Sequence, residues 1–242
     1  MKGIILAGGK GTRLHPLTQK CNKHLLPVGS EPMLFNPIKQ LISAGIVDIL
    51  IISSSQHIGS IIHTVSSSHV FGCNFSFAVQ KEARGIAHAL LAAEGYTGGD
   101  IAAVILGDNV ATHSIKPYAE KFKLQRTGAK VLLSKVMDPE SFGVAVIKEG
   151  RIEKIVEKPD RNISSYAVTG IYFYDNRVFD IIKEVKPSAR GELEITSVNN
   201  IYLSGQELTY DVIKGSWTDA GTSAGYKYAN ALLAAVNNEI IY

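Results

Sequence analysis

The sequence predicts an α/β fold with a Rossmann-like mixed sheet, mostly parallel in its first half and extended by antiparallel strands in its second, with helices on both faces. Three observations predict it. Up to about residue 128, short β-branched runs alternate with longer segments of helical period, the pattern of βαβ units around a parallel sheet. Beyond that point four apolar runs follow one another with no helical segment between them, so hairpins replace crossovers. Size agrees, because 242 residues with 45% hydrophobic and 19% charged side chains suit one globular domain over 1–242, its halves meeting near residues 128 and 129.

The elements follow in order. Gly3 to Ala7 is a short apolar strand that leads directly into a glycine-rich loop. Leu34, Ile38, Leu41 and Ile42 recur at helical spacing within 33–44, and Ile46 to Ser53 reads as a fully buried strand. Helices are predicted at 58–66, 86–95 and 115–126, and strands at 74–79 and 101–106. Four strands come next, Ala129–Lys135, Gly143–Ile147, Arg151–Glu157 and Ala167–Tyr174, with a hairpin turn at Lys148-Glu149-Gly150-Arg151. Helices return at 192–203 and 222–237. No internal repeat, proline-rich linker or low-complexity segment divides the chain.

Composition excludes several classes. A net charge of +3 with no run of like charges does not indicate a nucleic-acid partner. Cys21 and Cys73 are the only cysteines, too few for a disulfide framework and wrongly spaced for a CxxC metal site. The amino terminus lacks a signal-peptide core, and no window approaches the 18 apolar residues of a membrane span, so a cytoplasmic protein with no membrane partner is expected.

The sharpest local feature is Leu6-Ala7-Gly8-Gly9-Lys10-Gly11-Thr12-Arg13, directly after the first strand. Three glycines in four positions let the backbone bend tightly and turn its N–H groups toward an anion, and Lys10 and Arg13 add charge. A flexible strand-to-helix turn would have similar glycines. The loop fits neither the Walker A pattern nor the dinucleotide fingerprint, where Leu14 stands in place of the third glycine, so a nicotinamide oxidoreductase is disfavoured. Lys23 lies ten residues beyond Arg13, just ahead of the proline-stopped run Leu25-Leu26-Pro27. Read alone it is a solvent-facing lysine; with Arg13 it suggests a two-cation clamp on a polyphosphate.

Ile101 to Leu106 is apolar enough for a central strand and ends in Gly107-Asp108-Asn109. Ligands of open α/β sheets gather at the carboxyl ends of strands, which puts Asp108 where a Mg²⁺ ligand is useful, although an Asp-Asn pair also makes an ordinary turn. Asp219, in Trp217-Thr-Asp-Ala-Gly-Thr222, is a second candidate ligand or else a helix N-terminal residue. Glu157-Lys158-Pro159 closes a strand with a charged pair suited to a sugar hydroxyl and a phosphate, or to a surface ion pair. Gly221-Thr-Ser-Ala-Gly225 matches the G-x-S-x-G elbow, but no histidine follows it, the last being His113. That order argues against an α/β-hydrolase. The seven histidines show no zinc pattern.

Taken in order, these motifs resemble the sugar-1-phosphate nucleotidyltransferases, in particular the glucose-1-phosphate thymidylyltransferases of shorter form. The resemblance runs nearly end to end through Lys2–Leu14, Lys23–Pro27, Ile105–Asn109, Glu157–Pro159, Tyr166–Asp175, Lys186–Thr196 and Trp217–Thr222. It implies the nucleotidyltransferase fold and reaction of dTTP with α-D-glucose 1-phosphate to give dTDP-glucose and pyrophosphate, with Mg²⁺ as cofactor. It also implies a nucleotide-binding half over about 1–128 and a sugar-phosphate half over about 129–242.

Residue roles carry over in the same way. Leu6, Gly8, Gln80 and Gly85 would hold the base and ribose, with Gln80 on the pyrimidine edge, and Gly9 would also bind the nucleotide. Gly11, Thr12 and Arg13 would cradle the departing phosphates, and Lys23 would neutralise the α-phosphate. Asp108 and Asp219 would bind Mg²⁺, while Asn109, Gly143, Glu157, Lys158, Val168, Thr169 and Gly170 would form the sugar-phosphate site. His24, Phe142, Arg84 and His88 depart from the family pattern and leave open UTP against dTTP and a modified hexose against glucose. A non-catalytic nucleotide-sugar sensor is the alternative of another class; it would not require both carboxylates and all three cations together. A homo-oligomer stays open. The chain ends soon after the helix following Asp219, so feedback control and tetramer assembly of the long type are expected to be reduced or built differently.

Overall fold

Strand β1 (Lys2–Leu6) is central because both of its faces are apolar: Ile5 enters the hydrophobic core on one side of the sheet and Ile4 the core on the other. The structure is a computed structural model and describes residues 1–68 and 71–239. After β1 the loop carries one-turn helices at Thr12–Leu14 and Lys23–Leu25, then a small hairpin of β2 (Pro27–Val28) and β3 (Glu31–Pro32). Helix α1 (Phe35–Ser43), β4 (Asp48–Ser54), α2 (Ile58–Ser66) and β5 (Asn74–Gln80) complete the first crossovers. Then come α3 (Ile86–Leu90), α4 (Glu94–Thr97), β6 (Ala102–Leu106), β7 (Asn109–Ala111) and α5 (Lys116–Gln125).

The second half contains β8 (Ala129–Lys135), β9 (Gly143–Lys148), β10 (Arg151–Glu157) and β11 (Tyr166–Tyr174). It ends with α6 (Val178–Glu184), α7 (Ile195–Ser204), β12 (Leu208–Val212), β13 (Trp217–Asp219) and α8 (Ser223–Glu239). The nine-stranded sheet runs β10-β9-β11-β6-β1-β4-β5, with β8 also on β11 and β12 outside β8. Strands β1, β4, β5 and β6 are mutually parallel, whereas β11 is antiparallel to β6, β8 and β9. The hairpin turn has Glu149 at φ 51 and Gly150 at φ 75, the positive pair a tight turn between twisted strands needs.

Local competition accounts for the differences from expectation. The helix predicted over 86–95 is divided by a 3₁₀ turn at Leu91–Ala93 and resumes at Glu94–Thr97. The helix predicted from 192 starts at Ile195, because Leu193 is bound elsewhere: its N–H donates to Arg84 O at 2.8 Å and its carbonyl accepts from Ala87 N at 3.2 Å. Strand β12 is an addition, paired parallel to β8, as are α6 and the β7–β13 ribbon. Among the described residues no helix is long and apolar enough to cross a membrane.

Candidate active site

A cleft of about 430 Å³ opens where β1 and β6 end, the position at which open α/β sheets receive ligands. The ribbon of β7 and β13 sets Asp219 opposite Asn109, and Ala220 N–H donates to Asp108 O at 2.8 Å. Two carboxylates distant in sequence thereby meet over one glycine. A β-carbon on Gly221 would stand 2.7 Å from Asp108 Oδ2, 2.7 Å from Asp219 Oδ1 and 3.3 Å from Arg13 Nη2. Lys23 Nζ donates to Asp108 Oδ2, and Gly221 N–H donates to Asp219 Oδ1 at 2.6 Å.

Their electrostatics differ. Burial acts to raise the Asp108 pKa, but the Lys23 charge together with neighbouring hydrogen bonds, from Lys23 and Asn109 among them, holds the carboxyl below the usual carboxylate range. Burial raises that of Asp219, and the neighbouring Asp108 charge adds to the effect. His24 is buried against Gly107, with Nδ1 2.7 Å from Asn22 Oδ1. Burial, reinforced by Lys23, pushes its imidazole down to about 3.

Leu6, Gly8, Gly9 and Gly85 line the cleft with Gln80, the last residue of β5. A β-carbon on Gly8 would lie 2.4 Å from Gln80 Oε1, so glycine permits that approach. Gly85, at φ 101, lies against Leu193 O, which a β-carbon would meet at 2.5 Å. Gly11 O accepts from Thr18 Oγ1 at 2.7 Å and Thr12 opens a one-turn helix, and neither lines the cleft that Arg13 and Lys23 do line.

Asn109, Gly143, Glu157, Lys158, Val168 and Gly170 also line the cleft. Thr169 is wholly buried, and its hydroxyl donates to Leu132 O at 2.9 Å, away from the cleft. Alternation along β11 sends it to the opposite face. Glu157 Oε2 accepts from Thr196 Oγ1 at 2.5 Å and Oε1 from Arg190 Nη2 at 3.2 Å, and Arg190 also reaches Glu194 Oε1 at 2.8 Å. Lys158 holds φ 42, a left-handed conformation uncommon for a side-chain-bearing residue, with its N–H donating to Phe142 O at 2.9 Å. The Phe142 ring meets Trp217 edge-on at 5.4 Å. Residue-by-residue reading gave no role to Thr196, Arg190 or Trp217, although each lies inside a motif that carries the family resemblance.

A parallel-sheet cleft lined by paired carboxylates, adjoining cations and a further carboxylate and lysine defines an α/β protein suited to polyanionic ligands. Residues 2–235 match the Nucleotidyl transferase family, and the chain belongs to that family. It is 41% identical to the glucose-1-phosphate thymidylyltransferase of Neisseria meningitidis serogroup A, over 98% of this chain and 84% of that protein. Identity to the enzyme of the same name from Mycolicibacterium smegmatis is 42%, over 92% and 78%. Among solved structures, a Bacillus anthracis protein assigned as a glucose-1-phosphate thymidylyltransferase, in complex with sucrose, is 53% identical. It superposes with a TM-score of 0.91 over 96% of this chain and 94% of that one. A UDP-glucose pyrophosphorylase bound to UDP-glucose superposes at 0.85 with 25% identity, over 97% and 98%.

Proposed function

We infer that this protein transfers a thymidylyl group from dTTP to α-D-glucose 1-phosphate, giving dTDP-glucose and pyrophosphate. One observation carries the reading: Asp108, Asp219 and Arg13 converge around Gly221, with Lys23 bonded to Asp108, in a cleft also lined by Gln80, Glu157 and Lys158. The thymidylyltransferase relatives near 41% identity favour dTTP over UTP.

The residues present suit Mg²⁺. Two carboxylates face a space kept open by glycine, and among the described residues no cluster of three protein ligands forms. Magnesium characteristically takes one or two carboxylates and completes its shell with water and substrate phosphates. Asp108 and Asp219 would hold the ion, which when bound supplies positive charge to the triphosphate.

The chain's own residues do the rest by position and charge. The sugar phosphate already bears an anionic oxygen, so no strong general base is needed. That oxygen forms a bond to the α-phosphorus as the α–β bridging bond breaks, and pyrophosphate leaves with the electron pair. Arg13 and Lys23 offset the repulsion between the two anions, and Lys158 steadies the sugar phosphate. Gln80 and Gly85 receive the base, and Glu157 and Asn109 the sugar. The two halves of the chain interlock in this scheme, since Asn109 serves the sugar end and Asp219 the phosphate end.

Pyrophosphate release from a panel of sugar 1-phosphates against dTTP, UTP, CTP, ATP and GTP, with and without Mg²⁺, tests the reading. Highest turnover with dTTP and glucose 1-phosphate, dependent on Mg²⁺, is expected. Silence across the panel would favour a nucleotide-sugar sensor.

A further inference from the structure

Three hydrogen bonds converge on the Asn109 amide, a group 2% exposed. Oδ1 accepts from the Trp217 indole Nε1–H at 2.7 Å and from the Gly170 backbone N–H at 2.9 Å, and Nδ2 donates to Asp108 Oδ1 at 3.3 Å. The packing at Gly170 is close: a β-carbon there would stand 2.5 Å from Asn109 Nδ2. Gly170 lies in the stretch between Val168 and Tyr172 where the register of β11 on β8 shifts, so the irregularity delivers its N–H to the amide. A carbonyl oxygen has two lone pairs, and both are taken here. Turning the amide over would set its NH₂ against two N–H donors and its oxygen against the Asp108 carboxylate. Buried donors that face donors are left unsatisfied, so the network admits one orientation.

The geometry points to Trp217 as a positioning residue that acts through Asn109: its indole N–H, with the Gly170 N–H, locks the amide so that only N–H groups face Asp108 and a sugar phosphate in the cleft. The inference rests on the reaction proposed above and deepens it. Asn109 then reads acceptor atoms of the sugar alone. Asp108 keeps Oδ1 tied to Asn109 and leaves Oδ2 for Lys23 and the space over Gly221.

Trp217 is the single tryptophan of the chain, so its N–H can be removed by itself. Benzothienylalanine at position 217 keeps the ring shape and replaces N–H by sulfur. The isostere is expected to preserve the circular dichroism spectrum and to keep dTTP affinity within about twofold, while raising KM for glucose 1-phosphate about tenfold. In an Asn109→Ala background the same exchange should change KM less than about twofold, the mark of an effect routed through Asn109. Wild-type KM in the isostere, or an equal loss in both backgrounds, overturns the lock.

The indole N–H resonance supplies a second measure, free of any assay. In Asn109→Ala it should shift, and its hydrogen exchange should rise about tenfold; an unchanged shift and rate overturn the lock. Should wild-type protein release no pyrophosphate from dTTP and glucose 1-phosphate, the functional reading fails while the resonance still decides the hydrogen bond.

Discussion

Lys23 Nζ is bonded to Asp108 Oδ2, the same oxygen that faces the space over Gly221 shared with Asp219 Oδ1. The ammonium therefore competes with a divalent cation for that oxygen when no nucleotide draws it away. Lys23→Gln should raise the Mn²⁺ affinity of the nucleotide-free protein about tenfold, or about 1.4 kcal/mol, while slowing thymidylyl transfer. Paramagnetic titration reads the first effect. Unaltered Mn²⁺ binding would show that the lysine does not compete.

Asp108→Asn and Arg13→Ala should each cut turnover by about a thousandfold, since both act where charge must be offset during transfer. Pyrophosphate release measures the loss, and a cooperative thermal transition confirms folding. Near-normal turnover in both variants would sink the assignment of this cleft.

Gly221→Ala places a methyl group 2.7 Å from an oxygen of each carboxylate. Turnover should fall about a hundredfold and not be restored by excess Mg²⁺, with the circular dichroism spectrum retained. A variant with wild-type Mg²⁺ dependence would exclude this space as the metal position.

Thr196 donates to Glu157 Oε2 at 2.5 Å. A hydrogen bond to a charged group contributes about 2 kcal/mol, so Thr196→Val should raise KM for glucose 1-phosphate about thirtyfold. The affinity for dTTP should hold. An equal loss for both substrates would place the defect in folding.

His24 is pushed by burial down to about 3, below its unfolded value of 6.5. Between those values the unfolded chain binds a proton that the folded chain refuses, so this group's contribution to stability is lost as pH falls from 6.5 toward 3. His24→Gln should flatten the decline of denaturant midpoint between about pH 6.5 and pH 4. A slope equal to wild type would mean that the imidazole protonates without cost.

Much of the fold was legible residue by residue. The bounds of α2, β8 and β10 coincide with those read from periodicity, because each is a contiguous run whose own pattern decides its state. A motif match does not report which face of a strand a side chain takes, so the bond from the Thr169 hydroxyl to Leu132 O was not legible in the sequence. Ribbon β7–β13 went unseen because each strand is three residues long and neither has a period of its own.

By itself the sequence determined the α/β class, the glycine loop after β1 and the identity of the charged groups, all local properties of composition and spacing. Only the tertiary structure decided that Asp219 meets Asp108 over Gly221, that Lys23 bonds Asp108, and that Trp217 and Gly170 orient Asn109. Those relationships join residues 85 or more positions apart, or depend on a register shift in one strand. They exist only when long-range strand pairing brings the chain ends of β1, β6, β11 and β13 to one place.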